Sequence, residues 1–241
     1  MRSTYLKLTA ILFAVALLSG CLYPKSELKQ NKVPNEDQLE LVQTAVDKYR
    51  EDSDGLVPIK TKSAETDLFE KYLIDFNSLK EKNMITSIPG NAFESGGIYQ
   101  YTLITPDDDP RVKLIDLRIT EEVRRVNVKL DIYRSKNTYP PFGEEIEDGI
   151  YSINYQALGF KDEPFVVSPY SDENLPIVMD KDGKLYVDYR IDLRHALETY
   201  EHNYTNGEDI RYILADHSPF VPAYSPPYTV QDGEPVISEE K

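Results

Sequence analysis

Only one cysteine, Cys21, stands in the 241 residues, with no tryptophan and three histidines. A lone thiol rules out an intramolecular disulfide and a cysteine-based zinc site, so packing alone must hold the folded body together. Basic residues are scarce as well, 27 Lys and Arg against 42 Asp and Glu, for a net charge of −15. That balance argues against nucleic acid as a partner, because such binding rests on Lys and Arg clustered against phosphates. The most apolar run, Leu8–Leu18, is shorter than the ~20 residues an ordinary spanning helix needs. The Gly-x-Ser-x-Gly elbow, the Walker loop and the dinucleotide fingerprint are all missing, and nothing in the chain points to an enzyme.

What is present begins at the N-terminus. Arg2 and Lys7 precede the apolar run, and Leu18-Ser19-Gly20 places small residues just before Cys21, the pattern of an export leader. These four residues resemble the lipobox of bacterial lipoproteins. The resemblance implies cleavage before Cys21, a diacylglyceryl group on its sulfur, an acyl chain such as palmitate on its nitrogen in some bacteria, and no cofactor. Two chains bury enough methylenes for stable anchoring, at about 0.8 kcal/mol per CH₂, where one is marginal. The alternative is a plain secretory signal in which Cys21 is a passenger. We expect residues 1–20 to be a signal peptide, 21–34 a lipidated flexible tether and 35–241 an extracytoplasmic domain, with sub-units 35–135 and 136–241. Loss of Arg2 and Lys7 takes the charge to −17. In the tether, Lys25, Lys29 and Lys32 face only Glu27, which draws it weakly to anionic lipid while the acidic body stands off.

After the tether, Asn35 and Gln38 form a capping box for a helix to about Glu51, with Leu39, Val42, Val46 and Tyr49 on one face. Asp54-Gly55 ends it, and a short helix follows Asp75 to about Lys82. Tyr99–Thr105 reads as a strand. Beyond Val112, Leu117 and Ile119, then Val126, Val128, Leu130 and Ile132, alternate with polar residues, which predicts antiparallel strands with Glu121-Glu122 as turn or bulge. Ile150–Leu158 is ambiguous and Pro164–Leu175 loop-rich. Leu175–Met179 and Lys184–Tyr189 flank Asp180-Lys181-Asp182-Gly183 as a hairpin. A helix from Asp192 to about Tyr200 and a strand over Ile210–Leu214 follow. Ser218–Tyr228, with four prolines among aromatics, reads as an ordered strap on the surface.

One long-range pattern links these pieces. Pro58-Ile59 with Tyr72-x-Ile74-Asp75-Phe76 parallels Pro176-Ile177 with Tyr189-x-Ile191-Asp192-Leu193, as if a strand ended, an aspartate capped and a helix began in each. Tyr99–Thr105 would then correspond to Ile210–Ala215. The fold expected is α+β, mainly antiparallel sheet with a few short helices, with a hint of two related α/β units.

Candidate site residues are few. Asp180-x-Asp182-Gly183 suits a hairpin turn better than a calcium loop, whose other ligands are missing. His195, Glu198 and His202 fall at i, i+3 and i+7 and are weak metal candidates; a solvated helix face is the plainer reading, and no metal is assigned. His217 has no evident partner, and Glu94-Ser95-Gly96-Gly97 reads as a loop. Eighteen tyrosines offer flat rings with polar tips, and Tyr224 and Tyr228 form a candidate ligand strap, against simple packing of the tail.

The stretches Leu175-Pro176-Ile177, Asp182–Leu193 and Pro219–Ser225 resemble parts of uncharacterised Bacillus-type (Gram-positive) lipoproteins, YphF-like. The resemblance implies a place on the outer face of the cell membrane and brings no activity or catalytic residue. Asp75–Tyr101 also resembles the globular part of pilin-like proteins, without their stem or peptidase site. The function expected is a membrane-anchored, non-catalytic binding or accessory protein with an envelope protein as partner. The alternatives are a solute-binding component of a transporter and a surface hydrolase.

Overall fold

The computed structural model describes residues 36–238. Leu18, Ser19, Gly20, Cys21, the tether lysines and Asn35 lie outside the described residues. Helices α1 (Glu36–Glu51), α2 (Leu68–Lys71) and α3 (Phe76–Glu81) lead into hairpin β1 (Tyr99–Ile104) and β2 (Arg111–Asp116), then α4 (Leu117–Arg134). Strands β3 (Phe142–Glu147), β4 (Ile150–Ile153), β5 (Phe165–Val167), β6 (Asn174–Asp180) and β7 (Leu185–Val187) precede α5 (Arg190–Thr199) and α6 (Tyr212–Asp216). The hairpin β8 (Tyr228–Gln231) and β9 (Glu234–Ile237) closes the described chain. Every named strand pair is antiparallel, and the fold is α+β with short helices.

The longest helix is the largest departure from expectation. Leu117–Arg134, read from sequence as two strands, is α4. Its buried residues are Ile119, Val123, Val126 and Leu130, steps of four, three and four that make a helical stripe. The alternation was a shadow of that stripe: Val128 and Ile132, inward on a strand, are half exposed. The two alternating runs are also out of phase, which strands absorb only with a bulge at Glu121-Glu122 and a helix needs no device to explain. Leu130→Ala should cost about 2–5 kcal/mol, while Ile132→Ala should stay within about 0.5 kcal/mol. Urea denaturation of the two variants checks this, and equal losses would restore the strand reading.

A second correction falls at Ile210–Leu214, expected as a strand. Tyr212–Asp216 is α6, and Ile210, Ile213 and Leu214 are buried at i, i+3 and i+4. The correspondence with Tyr99–Thr105 therefore fails. Asp75 does cap α3, accepting from the Asn77 N–H at 3.0 Å. Asp192 caps nothing, since it lies inside the first turn of α5.

Entry into three of the helices uses a different device. In Asp116-Leu117-Arg118, Asp188-Tyr189-Arg190 and Asp209-Ile210-Arg211, the aspartate Oδ1 accepts from the arginine's backbone N–H at 2.9, 3.0 and 3.0 Å. The arginine Nε returns to the same oxygen at 2.9 Å in each. One carboxylate thus satisfies an orphan helix donor and neutralises itself on a fork-shaped partner. Both hairpins, β1–β2 and β6–β7, run through this triplet into a helix. Two hairpin–helix units do recur, offset from the pairing read in the sequence.

The core has two main parts. Residues of α1, α3, β1 and β2 form one cluster, and α4, the five-stranded sheet, α5, α6 and β8 form the other. Ser218–Tyr228 is ordered, as expected, and lies in the seam instead of on the surface. Leu114 N–H donates to Pro219 at 2.9 Å and Val221 N–H to Leu114 at 3.0 Å. Val187 N–H donates to Tyr224 at 2.8 Å, so the strap joins the edges of both hairpins. Phe220, Val221 and Ala223 are buried, because proline-spaced apolar residues can fill a seam without needing ladder donors. Glu70 of α2 accepts from the Tyr224 N–H at 2.7 Å, and Lys184 reaches Asp67 at 2.5 Å. Burial pushes the Glu70 carboxyl up to about 7, against the pull of the Tyr224 N–H.

Candidate functional site

A cavity of about 170 Å³ opens between α5, α6 and the β5–β6 loop. Asp192, Tyr170, Ser171, His195, Tyr200 and His217 are among its walls, over an apolar floor that includes Ala196, Ile213 and Leu214. The loop is set by Ser168, whose Oγ accepts from the N–H groups of Tyr170 and Ser171 at 3.0 and 3.1 Å. The same hydroxyl donates to the Asp192 carboxylate, 2.9 Å from each oxygen. Ser171 Oγ donates to Asp192 Oδ1 at 2.5 Å. The two serines pin loop to helix through this carboxylate, which is almost wholly buried. Burial raises the Asp192 carboxyl above its ordinary range, opposed by the Ser171 and Ser168 hydroxyls and by the nearby His195.

Asp192-Leu193-Arg194 shows how context overrides a local motif. The triplet matches the self-pairing caps, yet it sits within a helix. Arg194 extends to Glu234 at 2.7 Å and leaves Asp192 with the serines. The Tyr170 hydroxyl is buried without a hydrogen-bond partner, and burial holds its phenol well above the usual tyrosine range. Tyr200 and His217 stack with ring centroids 3.6 Å apart and planes within 4°. His217, without an evident partner in the sequence, finds it in this ring.

Of the metal candidates read from the sequence, only His195 reaches this cavity. His195 and Glu198 lie on α5, but the helix ends at Thr199. His202 is beyond it, tilted against Tyr204 at 5.9 Å, so the i, i+3, i+7 face does not form. Among the described residues no group of three or more His, Cys, Asp or Glu is placed to hold a metal ion. Asp180 Oδ1 accepts from the N–H groups of Asp182 and Lys184 at 2.9 and 2.8 Å, which is turn chemistry. Tyr228 is fully buried and donates to Asp188 Oδ1 at 2.8 Å; the Tyr224 phenol bonds Thr120. Both rings pack the seam. The serines could not be found from sequence, because Ser168 and Asp192 are 24 positions apart. A signal for Asp192 did exist: it falls on the apolar face with Leu193 and Ala196, where a carboxylate must find partners.

The fold and this cavity define an α+β protein of two hairpin–helix units, with a small polar-walled pocket in the second. Residues 35–116 match the YphF family N-terminal domain, and over that segment the chain is YphF-like. The match runs from the start of α1 to the cap of α4, so the cavity lies beyond it. No curated protein and no solved structure matches the chain.

Proposed function

We propose that this protein is a Gram-positive type of lipoprotein, anchored through Cys21 to the outer face of the cell membrane, that acts by binding and not by catalysis. The observation that carries binding over hydrolysis is that both serine hydroxyls are committed to holding the loop. Ser168 and Ser171 donate to Asp192, while their oxygens accept backbone N–H groups, Ser168 from Tyr170 and Ser171 and Ser171 from Glu173. Among the described residues no hydrogen bond joins His195 or His217 to Asp192 or to either serine. A serine activated by histidine needs that link; a ligand site needs only fixed polar groups around a hollow.

The address rests on Leu18-Ser19-Gly20-Cys21 and on the weakly basic tether. An acidic body gains little from an anionic surface, so the lipid supplies most of the attachment. Cys21→Ser should move the protein from the membrane pellet to the soluble fraction, or leave it with its leader uncleaved. Membrane attachment equal to that of the parent, with the leader removed, would overturn the anchoring. Crosslinking in intact cells and recovery of the lipidated protein tests the binding: an envelope protein partner or a retained small molecule supports it.

A further inference from the structure

We infer that the cavity beside Asp192 binds a small protonated amine, free or as the head of a larger molecule. This rests on the reading of the cavity as a binding site and adds the charge and size of its ligand. A carboxylate has about four lone-pair sites, and the two serine protons occupy two of them. The remaining acceptor capacity lies in a wall of the cavity. No Lys or Arg lines that cavity; of its two histidines, His195 acts on Asp192 only through its electrostatic pull, and among the described residues no ion pair involves Asp192. A buried charge without a partner is costly, and the first turn of α5 favours keeping it negative. The group that completes such a site is a cation with its own N–H donors.

The rest of the wall suits an ammonium better than a metal ion. Tyr170 and Tyr200 are both in the lining, Tyr200 with one face covered by His217, and aromatic rings attract organic cations through the ring quadrupole. A divalent metal would call for several oxygen ligands, and Asp192 is the only carboxylate in the lining. The volume is close to that of a ~150 Å³ cavity that takes benzene, so a ring bearing one aminomethyl group is about the right size. The net charge of −15 would also concentrate cations near the mouth.

Benzylamine, benzyl alcohol and benzoate share that size and differ in charge, which makes them suitable probes. Titrated calorimetrically into the full-length protein at pH 7, benzylamine should bind at least tenfold more tightly than either of the others. Asp192→Asn should abolish the preference. Because that residue also anchors the β5–β6 loop, Tyr200→Ser is the second variant: it sits at an exposed position and should weaken benzylamine severalfold without unfolding the protein. Binding of benzyl alcohol or benzoate as tight as benzylamine would overturn the amine assignment and leave a binding cavity in place. Binding of none of the three would overturn the assignment, and the fractionation of Cys21→Ser would still decide the anchoring on its own.

Discussion

Gly97→Ala should cost more than about 4 kcal/mol, beyond the range of ordinary substitutions, and leave little folded protein. Gly97 packs on the peptide of Asn91, and a Cβ there would stand 2.0 Å from the Asn91 carbonyl oxygen and 2.1 Å from its carbon. The obstacle is backbone, so no side chain can rotate away. Relief requires moving the Asn91 segment, which is held by Tyr99 N–H donating to the Asn91 carbonyl at 3.2 Å and by Tyr101 Oη donating to Asn91 Oδ1 at 2.7 Å. Both partners lie on β1, so the damage reaches the first hairpin. Gly96 is the control. Its φ is +84° with open space around a would-be Cβ, so Gly96→Ala meets only the left-handed backbone cost of about 1–2 kcal/mol. Thermal unfolding of the two variants separates them, and similar melting temperatures would remove the close approach as the cause.

Glu70→Gln should stabilise the protein at pH 8 by about 3 kcal/mol and change it little at pH 4. The folded carboxyl titrates at about 7 against an ordinary 4.5, chiefly because it is buried. Between those values the folded protein holds a proton that the unfolded chain has released, so stability falls as pH rises through the window. Above 7 the whole penalty of a buried charge is present, eased by Lys184 and Arg211 and worsened by Asp67. Glutamine keeps an oxygen for the Tyr224 N–H and removes the charge. Urea denaturation of parent and variant from pH 4 to 8 should give curves that meet at low pH and diverge upward. Parallel curves would mean that Glu70 titrates normally.

Local signals read well where one residue type answers to one backbone need. Asp75 caps α3, Asp180 with Gly183 turns a hairpin, and Asp54-Gly55 ends α1 with both residues at positive φ. They read badly where two periods overlap. Within Val126–Ile132 the apolar residues satisfy both a two-residue alternation and half of a helical stripe, and Val123 with Ile119 was needed to choose. Likewise Ile210–Leu214 is too short for its pattern to separate strand from helix.

The candidate site was legible only in fragments. The Asp-x-Arg triplet recurs along the chain, and whether its carboxylate closes on its own arginine depends on what precedes it. Just before a helix, after a strand at Asp116 and Asp188 and after a loop at Asp209, the backbone presents both groups to each other. Inside α5 it does not, and Asp192 is left to serines from a distant loop. Composition and local pattern were enough to establish an acidic α+β chain without an intramolecular disulfide and to reveal the lipobox-like Leu18-Ser19-Gly20-Cys21, since these follow from residue types and short spacings. Which helix face was buried, that the proline-rich strap fills a seam, and that a carboxylate with no ion pair among the described residues borders a cavity were settled by packing between distant segments. Those contacts depend on three-dimensional proximity, and no spacing along the chain encodes it.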